Sequence, residues 1–534
     1  MSSDAVSAGQ DDLVTRARGH SLGDLLHRTA ARTPDRLALV NGDLRWTFAE
    51  LDRAVNRTAH ALAAREVRRG DRVALVSHNC WHYVVTSFAL ARLGAILVPV
   101  NFMLTAEEIA YILDHCGASG VITEDGLHPQ VSAALEITGL TGGVRGWIPL
   151  AGTSAPGGWE DVGEWATSGP DHAPDVLVAD DDPLRLMYTS GTEARPKGAV
   201  LSSRSLIAQY VSCIVDGGMS ADDVELHTLP LYHCAQLDCF LGPDVYLGAT
   251  SVVLPAPEPG AVLGAIAAER ITKFFAPPTV WISLLRHPDF DRTDLSSLRK
   301  GYYGAAAMPV EVLREIQRRL PELRLWNFYG QTEMAPLATI LPPQDQLTHA
   351  GSAGRAALNV ETRVVDDDDQ PVPAGVVGEI VHRSPQATLG YWNDPDKTAQ
   401  AFRNGWFHSG DLGVLDAEGL LTVVDRKKDM IKTGGENVAS REVEEVLYLH
   451  PDVAEAAVFA SAHPLWVEAV TAAVVLVPGS RVSEEQLIAH CRAHVAGFKT
   501  PKKILVVDAL PKNPSGKVLK RDLRRSYPWD DATR

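Results

Sequence analysis

The sequence has no closely paired cysteines, no excess of basic residues and no long apolar run. Its six cysteines are scattered without a C-x-x-C pair, which argues against a zinc site or a disulfide framework and fits a reducing compartment. The net charge of -17 argues against nucleic acid and anionic membranes as partners, because both select basic surfaces. The apolar stretch from Thr86 to Val100 contains Arg92 and is shorter than the ~20 residues of a membrane span.

Residues 1–17 contain no apolar core of the kind found in a signal peptide. We therefore expect a cytoplasmic protein without integral membrane association. The chain has 534 residues, of which 45% are hydrophobic and 22% charged. A chain of this length is expected to form more than one domain, each with an ample core.

Strands alternate with helices over most of the chain, which predicts βαβ units and a mostly parallel sheet. Capping boxes at Thr47 to Glu50 and Thr105 to Glu108 predict the starts of two helices. Residues 151–183 are rich in Gly, Pro and Asp and are interpreted as a connector. The predicted strands include residues 37–40, 72–76, 96–100, 120–123, 250–254 and 273–276.

From about Gly351 short strands with turns indicate a small β-rich subdomain, and a charged run from Asp425 to Asp429 precedes a new α+β pattern that ends in a basic tail. The expected fold is α/β: a large N-terminal domain with doubly wound mixed sheets plus a small β-barrel-like subdomain, and a small α+β C-terminal domain joined by a hinge. The expected domains are residues 18–425 and 426–534.

The stretch from Tyr188 to Val200 combines three hydroxyls, two glycines, Pro196 and Lys197 between two apolar segments. This pattern predicts strand, loop, strand, with backbone N–H groups and a cation available for a polyphosphate. It is not a Walker A loop, because Pro196 precedes Lys197 and Gly198 follows it. The alternative is a polar surface loop.

Four further stretches contain residue types that suit a nucleotide, and each also has a structural interpretation. Asn327 to Glu333 offers an aromatic ring, a hydroxyl and a carboxylate of the kind that magnesium prefers, or else a helix cap. Asp411 in Trp406 to Gly413 can accept two ribose hydroxyls, or form an Asx turn. Asp425 to Glu436 combines two basic residues, Arg426 and Lys428, with a pair of glycines, or is a solvated charge run at a domain edge. Pro511 to Lys517 presents a lysine on a stiff loop, or is an exposed basic tail.

Taken in this order, the five stretches resemble the motifs of the acyl-adenylate-forming superfamily, which includes acyl-CoA ligases, firefly luciferase and the adenylation domains of peptide synthetases. The resemblance covers about Leu22 to Leu523. Within it, Tyr302 to Pro309 and Gly390 to Trp392 are most similar to fatty-acyl-CoA ligases. The resemblance implies that a carboxylate attacks the α-phosphate of ATP to form an acyl-adenylate, and that a thiol, usually coenzyme A, then displaces AMP.

The resemblance also implies a role for each matching residue, with ATP, Mg²⁺ and coenzyme A as cofactors. The phosphate-binding residues would be Thr189, Ser190, Gly191, Thr192 and Lys197. The adenine-lining residues would be Gly304, Ala305, Ala306, Asn327, Phe328, Tyr329 and Gly330. Thr332 would contact the α-phosphate, Glu333 the metal, and Asp411 and Arg426 the ribose. Lys517 would be the catalytic cation of the first step, Lys428 the hinge, Gly434 and Gly435 the thiol tunnel, and His233 the gate between the acyl and thiol channels.

The sequence departs from the superfamily pattern at Glu193 and Ala194 in the phosphate loop and at Val467, where glycine is common. Three alternatives to an acyl-CoA ligase are considered: an acyl-AMP ligase that loads a carrier protein, a non-catalytic scaffold, and an amino-acid activator. The last is disfavoured because Cys234 stands where that class has an aspartate.

The expected acyl pocket, formed by Val224 to Tyr246 and Tyr302 to Met308, is mostly apolar and shows no obvious fixed charge. This composition fits a hydrophobic acid, with either a medium-to-long chain or a bulky ring system. The expected partners are that small-molecule carboxylic acid, ATP and CoA, and a homodimer is a candidate assembly.

Overall fold

The computed structural model describes residues 14, 16–189, 195–306, 308–427, 429–433, 436–512 and 518–529. Its strands belong to four sheets. They are β1 (Leu37–Asn41), β2 (Leu44–Thr47), β3 (Arg72–Val76), β4 (Ile96–Pro99), β5 (Gly120–Glu124), β6 (Val144–Ile148), β7 (Glu160–Asp161), β8 (Pro183–Thr189), β9 (Lys197–Ser202), β10 (Val224–His227), β11 (Thr250–Val253), β12 (Lys273–Phe275), β13 (Lys300–Gly304), β14 (Arg324–Gly330), β15 (Leu337–Leu341), β16 (Arg355–Ala356), β17 (Glu361–Val365), β18 (Gly378–Arg383), β19 (Phe402–Arg403), β20 (Trp406–Leu415), β21 (Leu421–Arg426), β22 (Ile431–Thr433), β23 (Glu436–Val438), β24 (Val453–His463), β25 (Val467–Leu476) and β26 (Lys503–Val506).

The α-helices cover the faces of these sheets. They are α1 (Leu22–Arg32), α2 (Phe48–Ala64), α3 (Trp81–Leu93), α4 (Ala106–Cys116), α5 (His128–Thr138), α6 (Val162–Thr167), α7 (Ser203–Asp216), α8 (Cys234–Gln236), α9 (Gly242–Leu247), α10 (Pro259–Ala268), α11 (Pro278–Leu285), α12 (Val310–Arg319), α13 (Pro395–Ala401), α14 (Ser440–Tyr448), α15 (Glu484–His494) and α16 (Lys520–Ser526). A π-helical segment, Leu237–Leu241, joins α8 to α9.

Two large mixed sheets form the N-terminal part. One has the order β7-β6-β5-β3-β4-β8-β9 and the other β16-β15-β14-β13-β12-β10-β11-β1-β2. Central pairs such as β3 with β5 and β13 with β14 are parallel, whereas β8 with β9 and β14 with β15 are antiparallel. The carboxyl ends of parallel strands meet at one edge, which is where α/β proteins place ligands. The prediction of doubly wound mixed sheets is confirmed.

The local sequence signals explain several helix starts. The Thr47 hydroxyl accepts from the Glu50 N–H, and the Glu50 carboxylate accepts from the Thr47 N–H, so the predicted capping box begins α2. The same reciprocal pair forms between Thr105 and Glu108 at α4. Helix α3 is buried nearly all round and ends at Gly94, whose φ of 67° is left-handed, as expected for a helix packed between layers.

Two predictions about irregular segments are wrong. The predicted connector at residues 151–183 contains β7 and α6, and Val162, Trp165 and Ala166 of α6 are buried in the core. The predicted basic tail contains α16, whose Leu523 packs with Phe459 of β24. In both cases a few apolar residues fold a short helix onto the core although their neighbours are polar.

The remaining sheets are smaller. Strands β17, β18, β19, β20 and β21 form a five-stranded antiparallel sheet, as expected for the β-rich subdomain. Strands β22–β26 form a separate sheet that includes the parallel pair β25–β26, with α14 and α15 packed on it. In the part of the chain that the structure describes, no helix combines the length and apolarity needed to cross a membrane.

Candidate active site

The predicted phosphate loop is the connection of a β-hairpin. Thr189 ends β8 and Lys197 begins β9, and the two residues pair across the hairpin. The Thr189 hydroxyl lies 3.5 Å from the Lys197 carbonyl oxygen. Ser190, Gly191 and Thr192, which were predicted to bind phosphate, lie outside the described residues. The hairpin therefore places Lys197 at the start of β9, opposite Thr189.

A strap formed by residues 388–392 runs beside this hairpin. Its backbone pairs with β9 through Val200 N–H to Gly390 O at 3.0 Å and Trp392 N–H to Gly198 O at 2.8 Å. The Lys197 Nζ lies 5.4 Å from the centroid of the Tyr391 ring, within the range of a cation–π interaction. The strap thus fixes an aromatic ring next to the phosphate-loop lysine.

Tyr391 also joins the strap to Glu333. Its phenol donates to Glu333 Oε1 at 2.7 Å, and the Thr388 N–H donates to the Glu333 carbonyl oxygen at 2.7 Å. Tyr391 therefore contacts both Lys197 and Glu333, although the three residues are distant in sequence. The structure brings the predicted phosphate and metal residues to the same place.

Thr332 and Glu333 lie on a short 3₁₀ turn, Thr332–Met334, directly after β14. Its N-cap residue is Gln331, so the alternative in which Thr332 caps a helix does not hold. The Thr332 hydroxyl is 3.4 Å from the Cys234 sulfur. Gly330 precedes this turn, and a Cβ atom there would lie 1.9 Å from the Pro336 carbonyl oxygen, so only glycine fits.

His233 is the N-cap residue of α8. Its Nδ1 accepts a hydrogen bond from the Ala235 N–H at 3.2 Å, so the proton of the neutral ring is on Nε2. Asn79 holds the preceding segment, because its side chain donates to Leu229 O at 2.8 Å and accepts from the Leu231 N–H at 2.8 Å. The predicted gate residue is thus positioned by a rigid loop.

Cys234, which follows His233, is not a nucleophile in this setting. Burial raises the pKa of its thiol to about 12; the Thr332 hydroxyl opposes this increase, and the nearby carboxylates of Asp238 and Glu333 each add a smaller one. The thiol is therefore protonated at neutral pH and supplies packing next to Thr332.

The predicted adenine residues lie at the carboxyl ends of the neighbouring strands β13 and β14. Gly304 pairs with Phe328, and a Cβ at Gly304 would lie 2.5 Å from the Phe328 carbonyl oxygen. Ala305 has a left-handed φ of 65°, which turns the chain outward, and Ala305 and Ala306 are exposed. The loop after β13 is therefore open to a ligand at this edge.

Two of the predicted adenine residues have structural contacts of their own. The Phe328 side chain lies in the hydrophobic cluster with Phe240, at 5.7 Å between ring centroids, so it supports the strand from the core side. The Asn327 amide donates to Ser352 O at 3.1 Å.

Asp411, Arg426 and Tyr329 form a compact polar group. Arg426 Nε is 2.9 Å from Asp411 Oδ1, and the Tyr329 phenol donates to Asp411 Oδ2 at 2.7 Å. Strands β20 and β21 place Asp411 opposite Arg426 in register. Burial, and then the Asp411 carboxylate, raise the pKa of Tyr329 well above its usual value, so it remains a donor. The structure brings these three predicted nucleotide-binding residues together.

Several predicted residues cannot be placed. Lys428, Gly434, Gly435 and Lys517 lie outside the described residues. Their flanks are held by charged contacts: Asp429 with Arg524 at 2.8 Å and Lys512 with Glu455 at 2.6 Å.

The expected acyl-pocket segment contains buried charges, so the expectation of no fixed charge there is wrong. Glu225, His227, Asp238 and Asp244 are all fully buried. Lys273 Nζ is 2.7 Å from Glu225 Oε2 and also contacts Asp244. Its ammonium therefore offsets the negative charge of these two carboxylates, so that a metal ion is not needed to do so. The sequence shows these carboxylates, but their burial and their pairing with Lys273 arise only from tertiary contacts.

Sequence reasoning also missed Tyr391 as a site residue. It was noted only as part of the motif Gly390 to Trp392. An aromatic residue flanked by glycine in a loop was the available signal, but its contact with Glu333 spans 58 residues.

Comparisons with known proteins identify the family of this chain. The family model of AMP-binding enzymes matches residues 26–392, and the model of the AMP-binding enzyme C-terminal domain matches residues 442–517. A feruloyl-CoA synthase of Amycolatopsis sp is 38% identical over 510 residues, which cover 96% of this chain and 100% of that protein. An indoleacetate–CoA ligase of Aromatoleum aromaticum is 35% identical, with 94% of this chain and 98% of that protein covered.

A crystal structure of an anthranilate CoA ligase in complex with anthranoyl-AMP is similar in fold. It has a TM-score of 0.88 and 28% sequence identity, and the match covers 95% of this chain and 97% of that one. Since both domain models match in order and the relatives match along nearly their full length, the chain belongs to the AMP-binding enzyme family, which is the acyl-adenylate-forming superfamily that its motifs resemble.

Proposed function

We infer that the protein is an AMP-forming acyl-CoA ligase. It converts a hydrophobic carboxylic acid and ATP to an acyl-adenylate and then to the acyl-CoA thioester. The observation that carries this function is the contact of Lys197 with Tyr391 and of Tyr391 with Glu333, next to Thr332. Through Tyr391, a cation at the start of β9 and a carboxylate on the turn after β14 come close together, although the sequence separates them widely.

In the first half-reaction a carboxylate oxygen attacks the α-phosphorus of ATP, and the bond to pyrophosphate breaks. Two anions must approach each other, so the site has to offset their repulsion. Lys197 and the backbone of the Thr189 hairpin hold the β- and γ-phosphates in this proposal, and Thr332 donates to the α-phosphate. Lys517 supplies the cation that bridges the carboxylate and the α-phosphate.

The residues present also fit a magnesium ion. The Glu333 carboxylate is partly buried and has Tyr391 as its hydrogen-bond partner on one oxygen, so the other oxygen can take a hard cation together with phosphate oxygens. When bound, Mg²⁺ would neutralise the charge that develops on the pyrophosphate leaving group.

At the nucleoside end, Asp411 accepts from the ribose hydroxyls while Arg426 and Tyr329 hold its carboxylate in place. The open turn at Ala305 and Ala306, with Gly304 and Gly330, forms the edge at which adenine binds. Asn327 and Phe328 shape this edge through β14.

In the second half-reaction the CoA thiol attacks the acyl carbonyl carbon and AMP leaves. We place the boundary of the moving C-terminal domain at residues 425–426, because the sheet β22–β26 begins shortly afterwards, at Ile431. Lys428 is the hinge in this proposal, Gly434 and Gly435 line the thiol channel, and His233 gates it.

The acid in this proposal contains a ring. The feruloyl, indoleacetate and anthranoyl groups in the names of three similar proteins each contain an aromatic ring. Two of these proteins, at 38% and 35% identity, are slightly more similar to this chain than a relative named long-chain-fatty-acid–CoA ligase, at 34%, and this supports a ring-containing acid over an unbranched chain.

Pyrophosphate exchange with a panel of aromatic and aliphatic acids tests the function, with thioester formation followed after CoA is added. We expect exchange with ring-containing acids and thioester with CoA. Exchange without thioester would favour loading of a carrier protein, and no exchange with any acid would favour a non-catalytic scaffold.

Two further expectations remain proposals. A cytoplasmic location is supported by six free cysteines that are all buried, and cell fractionation tests it. A homodimer stays a prediction, which light scattering of the purified protein tests.

A further inference from the structure

A group of four buried polar side chains lies in the core, and one of its members belongs to the segment from Val224 to Tyr246 that is expected to form the acyl pocket. We call it the Arg185 cluster and define it as Tyr83, Arg185, Tyr210 and Asp238. Its members come from α3, β8, α7 and the π-helical segment. Each is at most 1% exposed, so the whole group is removed from bulk water.

The polar atoms of this cluster are poorly matched to each other. The Tyr210 phenol donates to Asp238 Oδ1 at 3.2 Å, and Arg185 Nε lies 3.6 Å from the same oxygen. Among the described residues, Arg185 Nε and Nη1, Asp238 Oδ2 and the Tyr83 hydroxyl have no hydrogen-bond partner. These atoms offer donors and an acceptor in one place.

Such an arrangement is costly if nothing else binds there. A buried charge that lacks hydrogen bonds destabilises a protein by several kcal/mol. A distance of 3.6 Å is too long for the strong charge-assisted hydrogen bonds that arginine makes with a carboxylate. Arg185 and Asp238 therefore keep unused hydrogen-bond donors and an unused acceptor, to which a third polar group can bind.

The cluster lies at a distance from the reacting atoms that suits the far end of an acid. Asp238 follows Cys234 by about one helical turn, or ~6 Å along the axis, and the Cys234 sulfur is 3.4 Å from the Thr332 hydroxyl. Arg185 lies on the same face of β8 as Thr189, ~13 Å along the strand. The side chains at the start of α8 thus connect the adenylation site to the cluster.

The chemistry of the unpaired atoms selects the kind of group that would bind. A hydroxyl can accept from the Arg185 guanidinium and donate to Asp238 Oδ2, so it satisfies both. A carboxylate would accept from Arg185 but would face the Asp238 carboxylate. An ammonium would suit Asp238 but would face Arg185. A neutral hydroxyl is the complementary group.

We propose that the Arg185 cluster is a specificity site that binds a distal hydroxyl group of the acid, which makes hydroxylated ring-containing acids the substrate class. This inference rests on the proposed function and narrows it. Buried water molecules between the same side chains are the alternative, in which the cluster has a structural role only.

Matched pairs of acids test the proposal in the full-length protein. The pairs are 4-hydroxycinnamate with cinnamate and 4-hydroxyphenylacetate with phenylacetate, and the measurement is kcat/KM in pyrophosphate exchange. We expect at least one hydroxylated acid to exceed its unsubstituted partner by about tenfold or more, because a site with buried polar groups rejects an analogue that leaves them unpaired.

Variants then assign that preference to the cluster. Arg185→Met with Asp238→Leu replaces both charges by apolar side chains, which proteins tolerate better than the loss of one partner. We expect kcat/KM for the hydroxylated acid to fall about tenfold or more, with the unsubstituted acid within about threefold. Tyr83→Phe removes one hydroxyl and should shift the preference in the same direction. Tyr448→Phe, on α14, is the control.

Three results would overturn the proposal: equal kcat/KM for both members of each pair in the wild type, an equal loss for both acids in the double variant, or exchange with other acids but with neither pair. Absence of exchange with every acid would instead refute the proposed function itself.

Discussion

At the scale of single residues, the Tyr391 phenol connects Lys197 and Glu333, two groups of the proposed adenylation site. Its ring lies beside the Lys197 ammonium and its hydroxyl holds one oxygen of Glu333. A carboxylate positioned in this way keeps its orientation while phosphates and a metal ion enter and leave. Tyr391 is therefore a positioning residue, and its effect should depend on metal concentration.

We predict that Tyr391→Phe lowers the rate of pyrophosphate exchange by roughly tenfold to a hundredfold, because a hydrogen bond to a charged group contributes about 1.5–3 kcal/mol. Raising the Mg²⁺ concentration should recover part of the loss, since the freed Glu333 carboxylate then binds the ion less tightly. Tyr448→Phe removes a phenol elsewhere and should leave the exchange rate unchanged. An unaltered exchange rate in Tyr391→Phe would show that Glu333 does not depend on the hydrogen bond from Tyr391.

The backbone conformation of Val467 leads to a second prediction. Its φ of 67° is left-handed, and its side chain is 74% exposed. This conformation costs a residue with a Cβ atom roughly 1–2 kcal/mol, and branching at Cβ adds to the cost. Because little burial is lost, Val467→Gly should stabilise the C-terminal domain by about 1 kcal/mol despite the greater freedom of the unfolded chain.

Urea unfolding of the full-length protein measures this effect. Val506→Gly makes the same change at an exposed strand position without a left-handed φ, and it should destabilise the protein by about 1 kcal/mol. Destabilisation by both substitutions would contradict the strain at Val467.

At the scale of elements, strand β18 carries a buried histidine that makes stability depend on pH. His382 is fully buried, and burial lowers the pKa of its imidazole from 6.5 to about 3. The unfolded chain binds this proton near pH 6.5 and the folded protein does not. His382 thus contributes stability that is complete above pH 6.5 and is lost as the pH falls towards 3, by about 1.4 kcal/mol per pH unit.

We predict that His382→Gln flattens the decrease in unfolding free energy between pH 6.5 and pH 4.5. Burial also lowers the pKa of His82 on α3 to about 3 and lowers the pKa of His227 on β10, so the slope should fall by less than half and not vanish. His494→Gln, which removes an exposed imidazole from α15, is the control. The same slope in His382→Gln and in the wild type would mean that the buried ring takes up its proton without unfolding.

The elements also show how far the sequence can predict this structure. Elements with a local signal were predicted, such as the capping box of Thr47 and Glu50 that starts α2. Helices α6 and α16 were missed because their positions depend on core contacts made by very few apolar residues. The same limit applies to the site: motifs located Lys197 and Glu333, but Tyr391 between them and the pairing of Arg185 with Asp238 arise from tertiary contacts.

At the scale of the whole molecule, charged contacts link the expected hinge to the C-terminal domain. Asp425 Oδ2 accepts from the Ser440 N–H at 2.6 Å, and Asp429 is 2.8 Å from Arg524. Arg441 at the start of α14 donates to the Val423 carbonyl of β21 at 2.8 Å. These contacts join β21 and Asp429 to helices α14 and α16, at the place where the proposed hinge would let the C-terminal domain turn.

The two half-reactions give the sharpest test of such a pivot. In the proposed mechanism Lys517 acts in adenylation and leaves when the C-terminal domain turns. Lys517→Ala should therefore lower pyrophosphate exchange by about a hundredfold or more, because it removes a cation from the place where charge develops. Thioester formation from supplied acyl-adenylate and CoA should stay within about threefold of the wild type. Lys512→Ala removes a neighbouring lysine that pairs with Glu455 and should affect neither step. A similar loss in both half-reactions of Lys517→Ala would show that this lysine stays in the site while the thiol reacts. One arrangement of the two domains would then serve both steps.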